Sequence, residues 1–329
     1  MTLQPKCQKK HCPKCGSSKV IKWGKFKSKQ RWNCPKCKYT FTWKCKSISL
    51  LNKKSWFLKW ILRKRTLEDI SDESGYSRST VQRIFEYYLN HPPVHQILAN
   101  RNCILILDGT YFEKENCLIV YYDVVENEIL YWRYTTSEIA EEIAADLRYL
   151  QTSGVSVIAA VSDGGRAILK ALSAVYPNIP KQRCLVHIQR MALIWLTQRP
   201  KTIAGKTLRA LCFTINQIKN HEDAELWRET FLNWDETYKD FLTEKSYTVK
   251  GRWWYTHKYM RKTRRMIIGA LPDMFHYLDI PMLPKDTNRI DGGIFSDLKE
   301  HYRIHRGIPG HKRAKFFYWF LYLKNLKNR

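Results

Sequence analysis

The chain has 329 residues, 57 of them Lys or Arg against 30 Asp or Glu, with a formal net charge of +27 and an isoelectric point near 9.7. A chain so basic repels itself unless a polyanion neutralises it, and phosphate backbones release counterions to each Lys or Arg contact, so nucleic acid is the expected partner. A 44% hydrophobic content supports packed cores and the length implies two or three domains; no uninterrupted apolar run spans a bilayer and the start, MTLQPKCQKKHC, does not read as a secretory leader, so an intracellular protein without a membrane role is expected.

Residues 1–46 carry Cys12-Pro13-Lys14-Cys15 and Cys34-Pro35-Lys36-Cys37, a C-x2-C…C-x2-C frame with zinc-ribbon spacing. Four thiolates satisfy tetrahedral Zn2+, which gives a fold to a segment too small for its own core. Cys7 and Cys45 flank the frame as spare thiols, while Cys103, Cys117, Cys184 and Cys212 lie in apolar patterns expected to be core. Between the knuckles Lys19, Lys22, Lys25, Lys27, Lys29 and Arg31 mix with Trp23, Phe26 and Trp32, which suits a phosphate-contacting β-ribbon or a solvated basic surface.

Residues 47–98 read as helix, glycine turn, helix. Thr66 with Asp69 forms an N-cap signature, Gly75 suits the left-handed turn, and Ser77 suits the cap of the second helix. Val81, Ile84 and Phe85 then face inward, leaving Arg78, Ser79, Gln82 and Arg83 to face a DNA major groove, as in a helix-turn-helix; a plain three-helix bundle is the alternative. Pro92-Pro93 marks the boundary.

Residues 99–329 alternate strands and helices. Cys103 to Leu107 is a buried strand ending in Asp108-Gly109-Thr110; Leu118 to Val125 and Ile129 to Tyr134 are two more. A helix with Ile139, Ile143, Leu147 and Leu150 on one face leads to strand Val155 to Val161, which ends at Ser162-Asp163-Gly164-Gly165. Ile168, Leu172 and Val175 mark another helix, and Arg183 to Ile188 a fifth strand. This βββαβαβ order is that of an RNase H-like α/β sheet, in which ligands gather at the carboxyl ends of parallel strands. A helical insertion of about 190–285 follows; Trp227, Phe231, Trp234, Tyr238 and Phe241 keep a helical period and are expected to be core. Arg252-Trp253-Trp254-Tyr255, followed by Arg261, Lys262, Arg264 and Arg265, suits base stacking with phosphate contact, or helix packing. Last comes Thr287-Asn288-Arg289-Ile290-Asp291, with Ile290, Ile294 and Leu298 on one stripe and Gly292-Gly293 expected to permit close backbone approach. Glu141, Glu142 and Asp146 read as solvated; Asp123, Asp297 and Glu300 are alternative third acids.

The three acidic signatures, with Cys184-Leu185-Val186-His187 and Arg303-Ile304-His305-Arg306-Gly307, resemble in content and order the bacterial insertion-sequence transposases of the mutator-like DDE superfamily, in a variant with zinc ribbon and helix-turn-helix. The resemblance implies a prokaryotic, nucleoid-associated cytoplasmic enzyme that binds terminal inverted repeats and target double-stranded DNA as a homodimer or higher assembly. It implies a catalytic triad of Asp108, Asp163 and Asp291 holding two Mg2+ (or Mn2+) ions, with His187 steadying the scissile phosphate. Trp253 or Trp254 would receive a flipped base, and the tail from Arg303 to Arg329 would track DNA or bind a second subunit. The chain departs from the family where Asp291 replaces the usual Glu and Phe295 the usual Asn, which leaves a catalytically inactive DNA-binding protein as the alternative.

Overall fold

The computed structural model describes residues 11–26, 29–42, 53–97, 101–112, 116–305 and 307–328. The expectations placed on Cys7, Lys27, Cys45 and Arg306 lie outside these residues. The chain divides into two compact units, Met1–Phe57 and Leu58–Arg329.

In the first unit β1 (Ile21–Phe26), β2 (Lys29–Asn33) and β3 (Thr40–Thr42) form an antiparallel sheet in that order. Each cysteine pair sits in the same tight turn: Gly16 N donates to Cys12 O at 2.9 Å and Lys38 N to Cys34 O at 2.7 Å. Both donors adopt positive φ, 70° at Gly16 and 53° at Lys38. Among the described residues the cluster under this sheet is Cys12, Cys34 and Phe41 with Val20, Trp32 and Cys37 packed against it, little apolar surface to hold a sheet without a cross-link. β1 is exposed along its whole length.

The unit boundary falls inside α1 (Lys54–Leu62). Next, α2 (Leu67–Ser74) starts with a full capping box: Asp69 N donates to Thr66 Oγ1 at 3.1 Å and Thr66 N to Asp69 Oδ2 at 2.7 Å. Gly75 ends α2 in the left-handed conformation, with φ 67°. Ser77 precedes α3 (Arg78–Asn90) but, contrary to expectation, makes no capping bond; its hydroxyl lies 3.0 Å from Thr80 Oγ1 and 3.1 Å from Ser79 Oγ. Val81, Ile84 and Phe85 are buried, and Arg78, Ser79, Gln82 and Arg83 are exposed.

The mixed sheet consists of β4 (Arg101–Tyr111), β5 (Cys117–Asp123), β6 (Glu128–Thr135), then α4 (Ala140–Thr152), β7 (Val155–Ser162), α5 (Arg166–Val175) and β8 (Lys181–Arg183), in strand order β6-β5-β4-β7-β8. β4, β5 and β6 are antiparallel neighbours, whereas β4, β7 and β8 run parallel. Ile143, Leu147 and Leu150 of α4 and Ile168 and Leu172 of α5 cover one face, packing on Cys103, Leu105, Leu107, Val155 and Val157. Ile139 is not part of that stripe: it occupies the N-cap position and is exposed. Asp146, expected in solvent, is buried, accepts from Tyr121 Oη at 2.8 Å and pairs with Arg133. The expected fifth strand is cut short, because β8 ends at Arg183 and α6 (Leu185–Leu196) begins immediately after Cys184.

Beyond it, α6, α7 (Ile203–Thr214) and α8 (His221–Tyr238), the hairpin of β9 (Lys245–Tyr247) and β10 (Trp253–Tyr255), and α9 (Lys258–Ala270) follow. Trp227, Phe231 and Trp234 are core, as their period predicts, with Tyr238 and Phe241 packed at its margin. The Trp253-Trp254 segment is a strand and not a helix, and both indoles are about half exposed.

At the C-terminus α10 (Asn288–Ile290) runs through a π-helical turn, Asp291–Phe295, into α11 (Ser296–Ile304), and α12 (Gly310–Asn328) closes the chain. Within this turn Ile294 and Phe295 are both buried. Gly292 and Gly293 are exposed, with no atom within 3.8 Å of a Cβ placed on either, so close backbone approach is not their role. The aromatic tail is likewise not a free surface. Phe316, Phe317, Trp319 and Phe320 are buried, Trp319 Nε1 donates to Tyr88 O at 2.8 Å, and the Asn325 amide bonds both N and O of Ile129 at 2.7 Å.

His305 packs against Trp60 and Phe316, and burial pushes its imidazole down to about 4. A histidine held neutral in the native state binds fewer protons than the unfolded chain between its folded value and about 6.5, so stability falls as pH drops through that window. We expect the unfolding free energy to fall by about 3 kcal/mol from pH 7 to pH 4 through this group. Denaturant titrations of His305→Gln should show that part of the slope removed; an unchanged slope would refute it.

Candidate active site

β7 stops at Ser162, paired with Leu107 of β4. The next residues along these parallel strands are Asp108 and Asp163, so strand register alone sets two carboxylates side by side at the carboxyl edge of the sheet. Asp108 Oδ1 accepts from Gly109 N at 2.9 Å and Asp163 Oδ1 from Gly165 N at 2.8 Å. Burial, together with the charges of Asp163 and Asp291, pushes the Asp108 carboxyl up to about 8, against the Thr287 hydroxyl and Gly109 N–H that favour its ionised form. Asp163 and Asp291 therefore each lie within electrostatic reach of Asp108. Asp291 also pairs with Arg190 Nη1 of α6 at 3.1 Å.

The Cys184-x2-His187 element ties the third motif to the sheet. Cys184 N donates to Ser162 O at 2.8 Å, Leu185 N to Lys285 O at 2.9 Å, and Thr287 N to Cys184 Sγ at 3.3 Å. His187 lies in the first turn of α6, not at a strand end; its Nδ1 is 3.1 Å from Cys184 Sγ and 3.4 Å from Thr287 Oγ1. Burial lowers the His187 pKa against the pull of Asp163 and Asp291, so the ring is neutral near pH 7.

Glu138 and Arg183, like Arg190, stand at this edge and escaped the sequence motifs. A Cβ on Gly109 would fall 2.4 Å from Glu138 Oε1, and one on Gly165 would be 3.2 Å from Glu138 Oε2, so this carboxylate lies directly on both glycines. Burial and Asp163 raise its pKa. A Cβ on Gly164, whose φ is +84°, would fall 2.0 Å from the Arg183 guanidinium. The motif glycines thus leave room for side chains that arrive from the β6–α4 connection and from β8. The alternative acids are engaged elsewhere: Asp123 with Arg101, Asp297 with Lys324 and His301, and Glu300 with Lys64.

Among the described residues, the one group of three or more possible metal ligands whose donor atoms all lie within 4.8 Å of one another is Cys12, Cys15, Cys34 and Cys37. Cys12 Sγ lies 3.6 Å from Cys37 Sγ and Cys15 Sγ 3.6 Å from Cys34 Sγ, close to the roughly 3.8 Å edge of a tetrahedron with Zn–S bonds of about 2.3 Å. The thiols titrate together: backbone N–H bonds, led by that of Cys37, pull Cys34 down to about 6, while against the Tyr39 backbone bond burial and the neighbouring thiols push Cys37 up to about 12. The donor set fits zinc. The aspartate set is more open, but its chemistry fits a hard divalent cation, because a cation relieves the repulsion and desolvation that keep Asp108 protonated.

Among the described residues no helix is long and apolar enough to cross a membrane. No curated protein matches the chain. Among solved structures it is similar to the HTLV-2 integrase catalytic core domain, determined in complex with magnesium in a trimeric form, at 17% identity and a TM-score of 0.20, covering 38% of this chain and 90% of that one. Residues 121–267, which hold Asp163, Cys184 and His187, match the model of a family described as Transposase, Mutator family, and that match supports a mutator-like transposase.

Proposed function

We propose that the protein is a DDE-type DNA transposase that cleaves the ends of its own insertion sequence and joins them to target DNA. The observation that carries this reading is the register of β4 and β7, which sets Asp108 beside Asp163 at the sheet edge where the Asp291 segment docks. In this reading the mixed sheet is an RNase H-like core over residues 99–329 with a helical insertion of about 190–285, the zinc ribbon is 1–46 and the helix-turn-helix 47–98. Two divalent ions, Mg2+ or Mn2+, bound by Asp108, Asp163 and Asp291 would activate the attacking oxygen and stabilise the leaving one.

The chain's own groups do the rest. Arg78, Ser79, Gln82 and Arg83, exposed on α3, read the terminal repeats, and the ribbon's basic strands add phosphate contacts. Trp253 and Trp254, half exposed on the β9–β10 hairpin, would receive the base, with Lys245 over the Trp253 ring and Arg261 of α9 over that of Tyr255. His187, with Nδ1 turned to Cys184 and Thr287, has Nε2 left to bond the scissile phosphate. Water opens the phosphodiester, and the freed 3′-hydroxyl attacks the target strand in line. The protein acts on double-stranded DNA in the prokaryotic cytoplasm, as a dimer or larger assembly that holds both ends.

A DNA-binding protein without catalysis is the second reading, favoured by the engagement of Asp291 with Arg190 and the buried Phe295. Incubation with duplexes carrying the two DNA ends that flank its gene, with magnesium, decides between them: cleavage followed by joining supports the transposase, and tight binding with no cleavage sinks it.

A further inference from the structure

The site holds a cation that its carboxylates do not pair. Arg183 ends β8 opposite Ser162 of β7, so it sits one strand away from Asp163. Its side chain is over nine-tenths buried, at 9% exposure, and its head group rests on the backbone of Gly164. Among the described residues the guanidinium makes no ion pair within 4.0 Å, and Nε is buried with no hydrogen-bond partner. The nearest negative charges, Asp163 and Asp273, act on it through space and not by contact. A buried arginine kept only to neutralise Asp163 would form a contact pair with it, because a desolvated guanidinium gains most from a forked hydrogen bond. This one leaves its Nε donor unspent beside the carboxylates of Asp108, Asp163 and Glu138, which by themselves repel a polyanion.

We propose that Arg183 is a substrate-binding residue that donates hydrogen bonds to a non-bridging oxygen of a DNA phosphodiester lying across Asp163 and Gly164. The assignment rests on the DNA-cleaving reading above. The planar fork suits a phosphate, and the bare Gly164 lets it lie at backbone level next to Asp163. Burial holds the Arg183 pKa below its usual value without discharging it, which leaves a dehydrated cation whose attraction for an anion is little screened.

The test uses the full-length protein, its Arg183→Gln and Arg183→Lys variants, and duplexes of the gene-flanking DNA ends in which single phosphates around the cleavage position are replaced one at a time by neutral methylphosphonate. In the wild type one position is expected to slow cleavage roughly tenfold or more; Arg183→Gln should slow it by a similar factor on unmodified DNA and lose less than about twofold more at that position, because the two changes remove the same contact. The slope of log affinity against log salt should fall by about one in Arg183→Gln. Multiplicative losses at every position together with an unchanged salt slope overturn the proposal and make Arg183 a structural residue. If the wild type cleaves no end, the transposase reading fails, and the salt slope on the same duplexes still decides Arg183. If Arg183→Gln does not fold, the Arg183→Lys series stands in: weakened coupling at the same single phosphate is expected, and undiminished coupling overturns the proposal.

Discussion

Asp108→Asn is expected to abolish magnesium-dependent cleavage, leave binding to the DNA ends within about twofold, and raise the stability of the metal-free protein. The last effect follows from the site's own electrostatics. The Asp108 carboxyl is pushed up to about 8 by burial and by Asp163 and Asp291. Between the unfolded value of about 3.9 and that folded value the native state binds the extra proton, so the group's contribution to stability falls as pH rises through the window. A neutral amide removes that loss, and the gain over the wild type should grow from about 1 kcal/mol at pH 5 to about 5 kcal/mol at pH 8. Added magnesium should raise the melting temperature of the wild type and leave that of the variant unchanged. A variant less stable than the wild type at pH 8, or one that still cleaves, would count against the carboxylate site.

Chelation of zinc should unfold the first unit. Among the described residues the cluster around the cysteines is a handful of side chains, two of them the proposed ligands Cys12 and Cys34, so a bound metal is expected to supply most of what holds β1, β2 and β3 together. Structural zinc sites bind with apparent free energies of about 10–16 kcal/mol, more than a core of that size contributes. The expected result for the protein treated with a strong chelator, or for Cys34→Ser, is loss of hydrogen-exchange protection over β1 to β3 with protection retained in β4, β5 and β7, and loss of one equivalent of bound zinc. Affinity for the DNA ends should drop at least tenfold, with a shallower salt dependence. Retained protection in the sheet after complete zinc removal would show that the cysteines are not structural ligands.

Much of the architecture was legible along the chain, because it rests on local causes. The apolar runs from Cys103 to Leu107 and from Val155 to Val161 have one stable use, as strands covered on both faces. The Thr66–Asp69 capping box and the Gly75 turn are fixed within a few residues by hydrogen-bond reach and backbone dihedrals. Misreadings fell where two causes compete. Leu185 to Ile188 is apolar enough for a strand, but the bonds from Cys184 to Ser162 and Thr287 turn the chain there and α6 starts instead. Asp146 has the helix position of a solvated acid, yet Tyr121 and Arg133 arrive from the sheet and bury it.

The sequence by itself determined the charge, the four-cysteine frame, the strand and helix order and the acidic signatures with their glycines, since each depends on composition or on spacing of a few residues. Only the tertiary structure decided what those glycines are for, placing Glu138 on Gly109 and Gly165 and Arg183 on Gly164. It also decided that Asp291 meets Arg190, 101 residues away in the chain, and that Trp253 and Trp254 stand out on a hairpin. These contacts join segments far apart in sequence, and their partners are selected by packing across the sheet edge, which no local period encodes.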